Sequence, residues 1–250
     1  MNISNYLQSI DKNSLLINSK TKVIECFGTP GTGKTYTSNI LYDEIKNNGI
    51  TISRLGLVIS LMLRIKRIVI KIVYVLRYIF SSKNAVKSLY SFIYFFQPMG
   101  LYSWIKLMVN WAYVFTLIKS QEKNSDLIIL DQGVGQAIWS NFFYGKADIE
   151  PEVLVPIFQK LFIELSVKNI TIFHIQSKKE DIAKRLELRF LDEKKSINNL
   201  NDKLLSKYLN TTSQTREFLN LVVSNINSIE IIDIDNSEPA SINSIENHNE

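Results

Sequence analysis

The sequence predicts a doubly wound α/β fold, in which a parallel sheet of five strands carries helices on both faces. The first observation behind this prediction is a set of short runs rich in Ile, Val and Leu, bounded by polar residues or Gly. Continuous apolar runs of this length are typical of strands that are covered on both faces. The runs lie at residues 22–27, 50–55, 126–130, 169–175 and 229–234.

The second observation is that segments with apolar residues at helical spacing separate these runs, so strands and helices alternate along the chain. The first predicted helix follows a glycine-rich loop and ends before Asn48 and Gly49, a pair that commonly ends helices. The second has Pro151 in its first turn, where proline is favoured. The predicted helices cover residues 34–47, 150–167, 179–191 and 202–223.

A window at residues 55–120 interrupts the alternation. It contains Gly56, Pro98 and Gly100, and otherwise consists of long helix-compatible runs. We therefore expect two or three helices inserted between the second and third strands. The expected organisation is an N-terminal helical extension at 1–21, a core at 22–55 and 121–236, the inserted region at 56–120, and a polar tail or last helix at 237–250.

The inserted region also differs from the rest of the chain in charge. The whole chain carries 29 basic and 24 acidic residues, a net charge of 29 − 24 = +5. Residues 45–121, a window of 77 positions, hold eleven Lys or Arg residues and no Asp or Glu. Residues 121–250 hold 14 basic and 20 acidic residues, a net charge of −6. The two parts of the sequence are therefore suited to different electrostatic partners.

Composition excludes several classes of protein. A hydrophobic content of 46% with 11% aromatic residues is enough for a buried core, so the chain is not disordered as a whole. The single Cys26 excludes a disulfide framework, and with only His174 and His248 we expect no Cys/His zinc site. The N-terminal residues lack a basic segment followed by an apolar one, so we expect no signal peptide and a cytoplasmic location.

The most specific motif lies between the first predicted strand and the first predicted helix. Residues 28–35 match the phosphate-binding pattern G-x-x-x-x-G-K-[ST] in full. Glycines let such a loop turn its N–H groups toward phosphate oxygens, and the helix N-terminus adds a partial positive charge. We expect Lys34 to reach the β- and γ-phosphates of ATP and Thr35 to bind Mg²⁺. The predicted nucleotide contacts are Gly28, Thr29, Gly31, Thr32, Gly33, Lys34, Thr35 and Tyr36.

A carboxylate follows the third predicted strand, at Asp131. In a parallel sheet the carboxyl ends of the strands form the ligand crevice, so Asp131 and the loop at 28–35 are expected to face one site. There Asp131 would hold Mg²⁺ or its water shell, or meet the acceptor. The alternative is an N-cap for a following helix, since residues 136–141 can be helical. The same two interpretations apply to the neighbouring Gln132.

Two arginines lie four residues apart in the third predicted helix, just after the fourth strand. Residues at this spacing share one helix face, so Arg185 and Arg189 can clamp a transferring phosphoryl group together. The alternative is a solvated face on which the arginines pair with Asp181 or Glu187.

Taken together, these motifs resemble the nucleoside and nucleotide kinase branch of P-loop proteins, and thymidylate kinases in particular. That family has a strand ending in Asp-Arg or a similar pair, a helix with paired arginines at the start of a mobile lid, and an Asp-containing loop near the adenine, which residues 233–237 resemble. The resemblance covers residues 22–55 and 124–240 and implies a P-loop kinase core. The chain departs from it in two places: Gln132 stands where the family has Arg, and residues 56–120 do not match the family's acceptor region.

The expected function is an ATP- and Mg²⁺-dependent phosphotransferase that moves the γ-phosphate to a hydroxyl or phosphate of a small molecule, sugar or membrane-linked glycan. Lys34, Asp131, Arg185 and Arg189 are the expected catalytic residues, and Thr35 and Asp131 the expected metal ligands. One alternative is a thymidylate-type nucleotide kinase. A second is a P-loop ATPase that switches a protein or membrane partner, and a third is a nucleotide-binding module without activity.

The inserted region admits several interpretations. A polar stripe at Ser60, Arg64, Arg67, Lys71, Tyr74 and Tyr78 predicts one helix, and residues 88–105 form an uncharged run. These segments would be a membrane-spanning pair, a peripheral surface at the inner face of a membrane, or a buried acceptor lobe or homodimer interface. The acceptor itself is unidentified, with an anionic or lipid-linked molecule expected. Cations alternate with aliphatic residues here, so nucleic-acid binding is not expected.

Overall fold

The computed structural model describes residues 23–47, 52–55, 73, 75–79, 83–121, 127–146, 149–164, 169–192 and 202–237. The expected N-terminal extension and residues 238–250 of the tail lie outside these ranges. So does most of the stripe that begins at Ser60. Its last member, Tyr78, is buried and donates a hydrogen bond to the Ala85 carbonyl oxygen at 3.0 Å. Tyr78 therefore packs inside the protein, although its place in the polar stripe predicted a position on a polar helix face.

The strands form one parallel sheet in the order β2-β3-β1-β4-β5. The parallel α/β arrangement predicted from the sequence is confirmed. Because β1 is central, the loop that follows it lies between the carboxyl ends of β3 and β4. The strands are β1 (Val23–Phe27), β2 (Ile52–Leu55), β3 (Leu127–Leu130), β4 (Ile170–Gln176) and β5 (Ile229–Asp235).

Helices connect the strands, and α2 and α3 occupy the chain between β2 and β3. The inserted region is therefore helical where the structure describes it. The predicted uncharged run at 88–105 spans the end of one helix, a break near Gln97 at φ 44° and the start of the next. The helices are α1 (Lys34–Asn47), α2 (Lys83–Phe95), α3 (Gly100–Gln121), α4 (Val134–Tyr144), α5 (Pro151–Glu164), α6 (Lys179–Asp192) and α7 (Asp202–Asn225).

The two faces of the sheet pack against different helices. Strand alternation turns Ile24 and Cys26 toward Leu41 on α1. It turns Val23 and Phe27 toward a larger cluster that includes side chains from α2, α3, α4, α5 and α7. Helices therefore cover both faces, as the fully buried strands β1 and β3 require.

The larger cluster is rich in aromatic side chains that join the inserted helices to the core. Phe92 of α2 lies edge-on to Trp111 of α3, with ring centroids 5.5 Å apart, and Phe158 of α5 lies 5.5 Å from the Phe92 ring. The Trp111 indole N–H donates to Asn141 Oδ1 at 3.1 Å, which satisfies the one polar group of this buried ring. The inner sides of α2 and α3 thus belong to the main core.

One described helix, α3, passes a test of length and hydropathy for a membrane span over Gly100–Ser120. Half of that stretch is buried inside the protein, where Trp111, Phe115 and Ile118 join the core. A buried core helix passes the same test, so length and hydropathy alone are weak grounds for a span.

Candidate functional site

The loop between β1 and α1 is fixed by glycine geometry. Gly33 has φ +91°, and a Cβ added there would lie 2.5 Å from Asn236 Nδ2. A Cβ added at Gly28 would lie 2.5 Å from the Ile175 carbonyl oxygen. At Gly28 the close atom belongs to the backbone, and at Gly33 the φ of +91° is rare for other residues, so both positions require glycine.

The carbonyl oxygens of the loop are held by side chains from the opposite end of the sequence. Arg185 Nη1 donates to the Gly31 oxygen at 3.2 Å, and Asn236 Nδ2 donates to the Thr32 oxygen at 2.8 Å. Side-chain donors on the carbonyls favour a loop whose N–H groups face the other way, as a phosphate site requires. The first N–H groups of α1 also point beyond the helix, because they have no intrahelical acceptor.

Lys34 folds back over this loop. Its ammonium donates to the carbonyl oxygens of Gly28 at 2.8 Å and Thr29 at 2.9 Å. Burial lowers the pKa of Lys34 to about 8, and the positive charge of Arg189 adds to the effect while the charges of Glu25 and Asp131 oppose it. The structure therefore keeps a partly desolvated cation at the position predicted to meet the phosphates.

Asp131 lies at the end of β3, with 3% of its surface exposed. Its Oδ1 accepts a hydrogen bond from the Ser38 hydroxyl, which belongs to the second turn of α1. The N-cap of α4 is Gly133, so the alternative in which Asp131 caps that helix is wrong. The side chain turns instead toward the helix that follows the loop, which brings Asp131 and the motif together.

Ser38 is a site residue that the sequence motif did not reveal, because the motif ends at Thr35. Its position three residues after Thr35, on the same helix face, was the available signal. Ser38 Oγ also lies 3.0 Å from the Thr35 carbonyl oxygen, so the hydroxyl ties Asp131 to the first turn of α1.

The oxygen ligands at this edge suit Mg²⁺. The Thr35 side chain is exposed at the start of α1, and Asp131 stands beside the same helix. Within the described ranges, no three His, Cys, Asp or Glu side chains form a metal-binding group. Mg²⁺ commonly takes one or two protein ligands and completes its shell with phosphate oxygens and water, which fits this small donor set.

The two predicted arginines differ in their surroundings. Arg185 reaches the loop at Gly31 and also donates to Ser177 Oγ at 3.2 Å, so it lies at the predicted site. Arg189 is exposed one turn further along α6, and its charge acts on Lys34 and Tyr208. Both arginines are therefore on the loop side of α6.

Glu25 is a second residue that the sequence analysis missed. It is fully buried in the middle of β1, and its carboxylate accepts N–H bonds from Gly133, Gly135 and Gln136, each at 2.9 Å. Burial raises the pKa of Glu25, and these N–H bonds oppose that rise. The carboxylate occupies the N-terminus of α4 and fixes the β3–α4 turn, which carries Asp131. The feature that could have identified Glu25 in the sequence was its position as an acid inside an apolar strand.

A histidine and two charged residues meet at the ends of β4 and β5. His174 Nδ1 lies 2.8 Å from Asp233 Oδ1, and Arg216 Nη2 donates to Asp233 Oδ2 at 2.8 Å. Burial lowers the pKa of His174 against the opposing effect of Asp233. Burial would raise the pKa of Asp233, but the bonds from Arg216 and His174 outweigh it and hold that pKa below its usual value. Asp233 and Asp235, which the resemblance assigned to a loop, belong instead to strand β5. Asp233 is held in an ion pair, and Asn236 after the strand holds Thr32.

Aromatic and basic side chains from α4 and α7 gather beside the loop. Thr29 Oγ1 lies 2.9 Å from Thr212 Oγ1, which also accepts the Trp139 indole N–H at 3.0 Å. Tyr208, one turn before Thr212, lies 5.8 Å from the Trp139 ring. We name the following set the α4–α7 aromatic cluster: Trp139, Phe143, Tyr144 and Tyr208.

Basic groups border this aromatic cluster. The Lys106 ammonium donates to the Tyr144 hydroxyl at 2.6 Å, and the Lys207 ammonium lies 4.2 Å above the Phe143 ring. Burial raises the pKa of Tyr208, as does Tyr144, whereas Arg189 acts in the opposite direction. One cation of the acid-free window, Lys106, therefore reaches the α4–α7 aromatic cluster through α3.

No family model matches the chain, and no curated protein is similar to it in sequence. The class of the protein is therefore inferred from its loop motif and from the geometry around it. That geometry places Lys34, Asp131 and Arg185 at the carboxyl edge of one parallel sheet.

Proposed function

We propose that the protein is an ATP-dependent phosphotransferase with a P-loop kinase core similar to that of thymidylate kinases. It moves the γ-phosphate of ATP to a hydroxyl or phosphate of a small molecule, sugar or membrane-linked glycan. The observation that carries the proposal is the complete loop motif between β1 and α1, with the Asp131 carboxylate hydrogen-bonded to Ser38 in the second turn of α1.

The loop and Lys34 would hold the phosphates of ATP. The first N–H groups of α1 have no intrahelical acceptor, and a helix start of this kind favours an anion. Lys34 would exchange its two carbonyl acceptors, Gly28 and Thr29, for phosphate oxygens, which carry more negative charge. Thr29, Thr32 and Tyr36 complete the predicted contact set around this loop.

Thr35 and Asp131 would hold Mg²⁺ on the phosphate side of the loop. The ion supplies positive charge that neutralises the phosphate oxygens as the phosphoryl group transfers. Ser38 holds the Asp131 carboxylate in place, so this acid is positioned before the ligands arrive. Asp131 would also accept the proton of an acceptor hydroxyl, or orient the water of the metal shell.

Arg185 and Arg189 would stabilise the transferring group. Arg185 already touches the loop at Gly31, and the charge of Arg189 reaches Lys34. Phosphoryl transfer depends mainly on positioning and charge stabilisation, which guanidinium groups provide in a fixed planar geometry. In the assembled complex we expect both to face the β- and γ-phosphates.

The acceptor would bind against the α4–α7 aromatic cluster. Its half-buried rings, Phe143, Tyr144 and Tyr208, would offer contact surfaces for a sugar or base, and Lys106 and Lys207 would offer charges for an anionic group. Thr212 links Trp139 of the cluster to Thr29 of the loop, which supports an acceptor site beside the proposed donor. An anionic acceptor with a ring is the chemistry that these side chains match. We propose a cytoplasmic location, which would supply ATP.

An ATP-consumption assay with product analysis tests the proposal. The acceptors to compare are nucleoside monophosphates, free sugars, sugar phosphates and lipid-linked glycans, with Mg²⁺ present and absent. We expect Mg²⁺-dependent turnover and a phosphorylated product from a sugar or lipid-linked acceptor. Turnover on thymidylate alone would show an ordinary thymidylate kinase instead. ATP hydrolysis stimulated by a protein or membrane partner, without a phosphorylated product, would show a switch ATPase.

A further inference from the structure

Exposed apolar side chains are concentrated where α2 turns into α3. Of the fourteen large apolar residues that the structure shows as exposed in its described part, seven fall within residues 90–105. Leu101 and Tyr102 are exposed to 76% and 77%. We name the following set the α2–α3 corner: Tyr90, Tyr94, Phe95, Met99, Leu101, Tyr102 and Ile105. Contiguous exposed apolar surface of this kind marks an interaction site.

The corner is well anchored to the rest of the protein. Beneath it, Phe92 and Phe96 are buried in the main core. The Met99 N–H donates to the Tyr144 carbonyl oxygen at 3.1 Å, and the Lys146 N–H donates to the Phe96 carbonyl oxygen at 3.0 Å. Its apolar side chains are therefore held on the outside by an ordered backbone.

The aromatic part of the corner is partly pre-assembled. The Tyr90 ring lies 6.1 Å from the Tyr94 ring and 4.8 Å from the Trp104 ring. Tyrosine and tryptophan have apolar bodies with one polar atom, so they are favoured where an apolar phase meets water. Side chains of this kind are enriched where proteins contact a membrane–water interface.

The positive charge beside the α2–α3 corner favours a negatively charged partner. Lys83, Lys87, Tyr90 and Tyr94 follow steps of four, three and four residues, so they share one face of α2. Both lysines are exposed, and residues 45–121 contain no acid. A second copy of this chain would bring the same cations against these lysines, which disfavours a symmetric dimer through this face. An anionic lipid surface offers the complementary charge.

We propose that the α2–α3 corner binds peripherally to membranes that contain anionic phospholipids. Leu101, Tyr102 and their neighbours enter the boundary between headgroups and acyl chains, and Lys83 and Lys87 contact the headgroups from the same face of α2. The later part of α3 stays in the protein core, so the helix lies against the membrane without crossing it. The proposal goes beyond the phosphotransferase proposal and does not depend on it.

Flotation with lipid vesicles tests the proposal on the full chain. The vesicles contain phosphatidylcholine alone or phosphatidylcholine with phosphatidylserine. We expect binding to the vesicles with phosphatidylserine, weakened by added salt, and little binding to the neutral ones. The double variant Lys83→Gln and Lys87→Gln should lose about twenty-five-fold in partition coefficient, since each basic residue near an anionic surface contributes about fivefold.

The apolar contribution has a matched control. The double variant Leu101→Ser and Tyr102→Ser should lose at least about thirtyfold in partition coefficient, because two apolar side chains no longer enter the boundary. Ile163 is also 76% exposed but lies in the last turn of α5, outside the corner. The variant Ile163→Ser should therefore bind as the wild type does. Circular dichroism should show unchanged folding for each variant.

Three outcomes would overturn the proposal. The first is failure of the wild-type chain to bind vesicles with phosphatidylserine. The second is unchanged binding by the Leu101→Ser and Tyr102→Ser double variant. The third is a concentration-dependent dimer that this same double variant abolishes, which would assign the corner to a second copy. The variant Lys34→Ala should keep full vesicle binding, so failure of nucleotide binding and failure of membrane binding stay distinguishable.

Discussion

The loop at residues 28–35 and the α2–α3 corner use opposite means of recognition. At the loop, Arg185 and Asn236 from distant parts of the chain donate to individual carbonyl oxygens at 2.8–3.2 Å, and a Cβ at Gly28 would collide with the Ile175 carbonyl oxygen. At the corner, large side chains are 40–77% exposed. Directional bonds recognise one chemical group, whereas exposed apolar area and net charge recognise a surface. Each region should therefore respond to its own substitutions alone.

The largest effect is expected from Lys34→Ala. This variant removes the ammonium that we assign to the phosphates, and we expect kcat/KM for ATP-dependent transfer to fall by about a thousandfold. The measurement is steady-state turnover together with ATP binding by calorimetry. Vesicle binding should not change, which keeps the loop and the corner separate.

Lys46 provides the matched control for Lys34, because it belongs to the same helix and is exposed near its end, above the Tyr42 ring. Lys46→Ala should retain turnover within about twofold, since surface substitutions away from a site have small effects. Equal losses in both variants would indicate a general effect on α1 and would contradict the assigned role of Lys34.

The second prediction concerns Asp131→Asn, which keeps the shape of the side chain and removes its charge. We expect kcat to fall by about a hundredfold, because the metal and the acceptor proton lose their carboxylate. Ser38→Ala should cost about tenfold, since it leaves Asp131 present but less fixed. The double variant should lose less than the product of the two effects, because Ser38 acts through Asp131. Multiplicative losses would contradict that coupling.

Local sequence patterns were enough to predict the loop. The residues that support it, Glu25 and Ser38, have partners far away in the sequence, so no local pattern predicted their roles. The motif at 28–35 is contiguous in sequence with the strand before it and the helix after it, so their spacing was sufficient. Glu25 meets Gly133 across 108 positions, and Ser38 meets Asp131 across 93. No short-range pattern encodes which helix N-terminus a buried acid will face. The sequence showed an acid in an apolar strand, and only the sheet order β3-β1 explains it.

The inserted region shows the same limit for helices. Periodicity identified the apolar and polar positions of each helix, but it did not reveal which apolar faces would be buried against other helices. Trp111 and Leu101 are both apolar positions of α3, yet one is fully buried and the other is 76% exposed. The difference arises because Trp111 contacts Phe92 and Asn141, residues of other helices. Tertiary packing, and not helix periodicity, therefore defined the corner.

The third prediction concerns stability at the support of the loop. Glu25→Gln leaves a side-chain amide facing N–H donors that need an acceptor, so we expect a loss of about 2 kcal/mol in the free energy of unfolding. Urea denaturation measures it. Glu152→Gln, at an exposed position in the first turn of α5, is the control and should change stability by no more than about 0.5 kcal/mol. An unchanged midpoint for Glu25→Gln would contradict the structural role of this acid.

The smallest predicted effect is the pH dependence of ATP binding. Burial lowers the pKa of Lys34 to about 8 in the free protein, and phosphate binds the protonated form. The ammonium is mostly protonated below this pKa and loses its proton above it, so affinity should fall by about tenfold between about pH 7 and about pH 9. Lys34→Arg keeps its charge over this range, so its affinity should be weaker but nearly independent of pH. A wild-type affinity for ATP that does not change with pH would show that the Lys34 ammonium does not bind the phosphates. The contrast between directional bonds at the loop and exposed apolar area at the corner would then lack its main support.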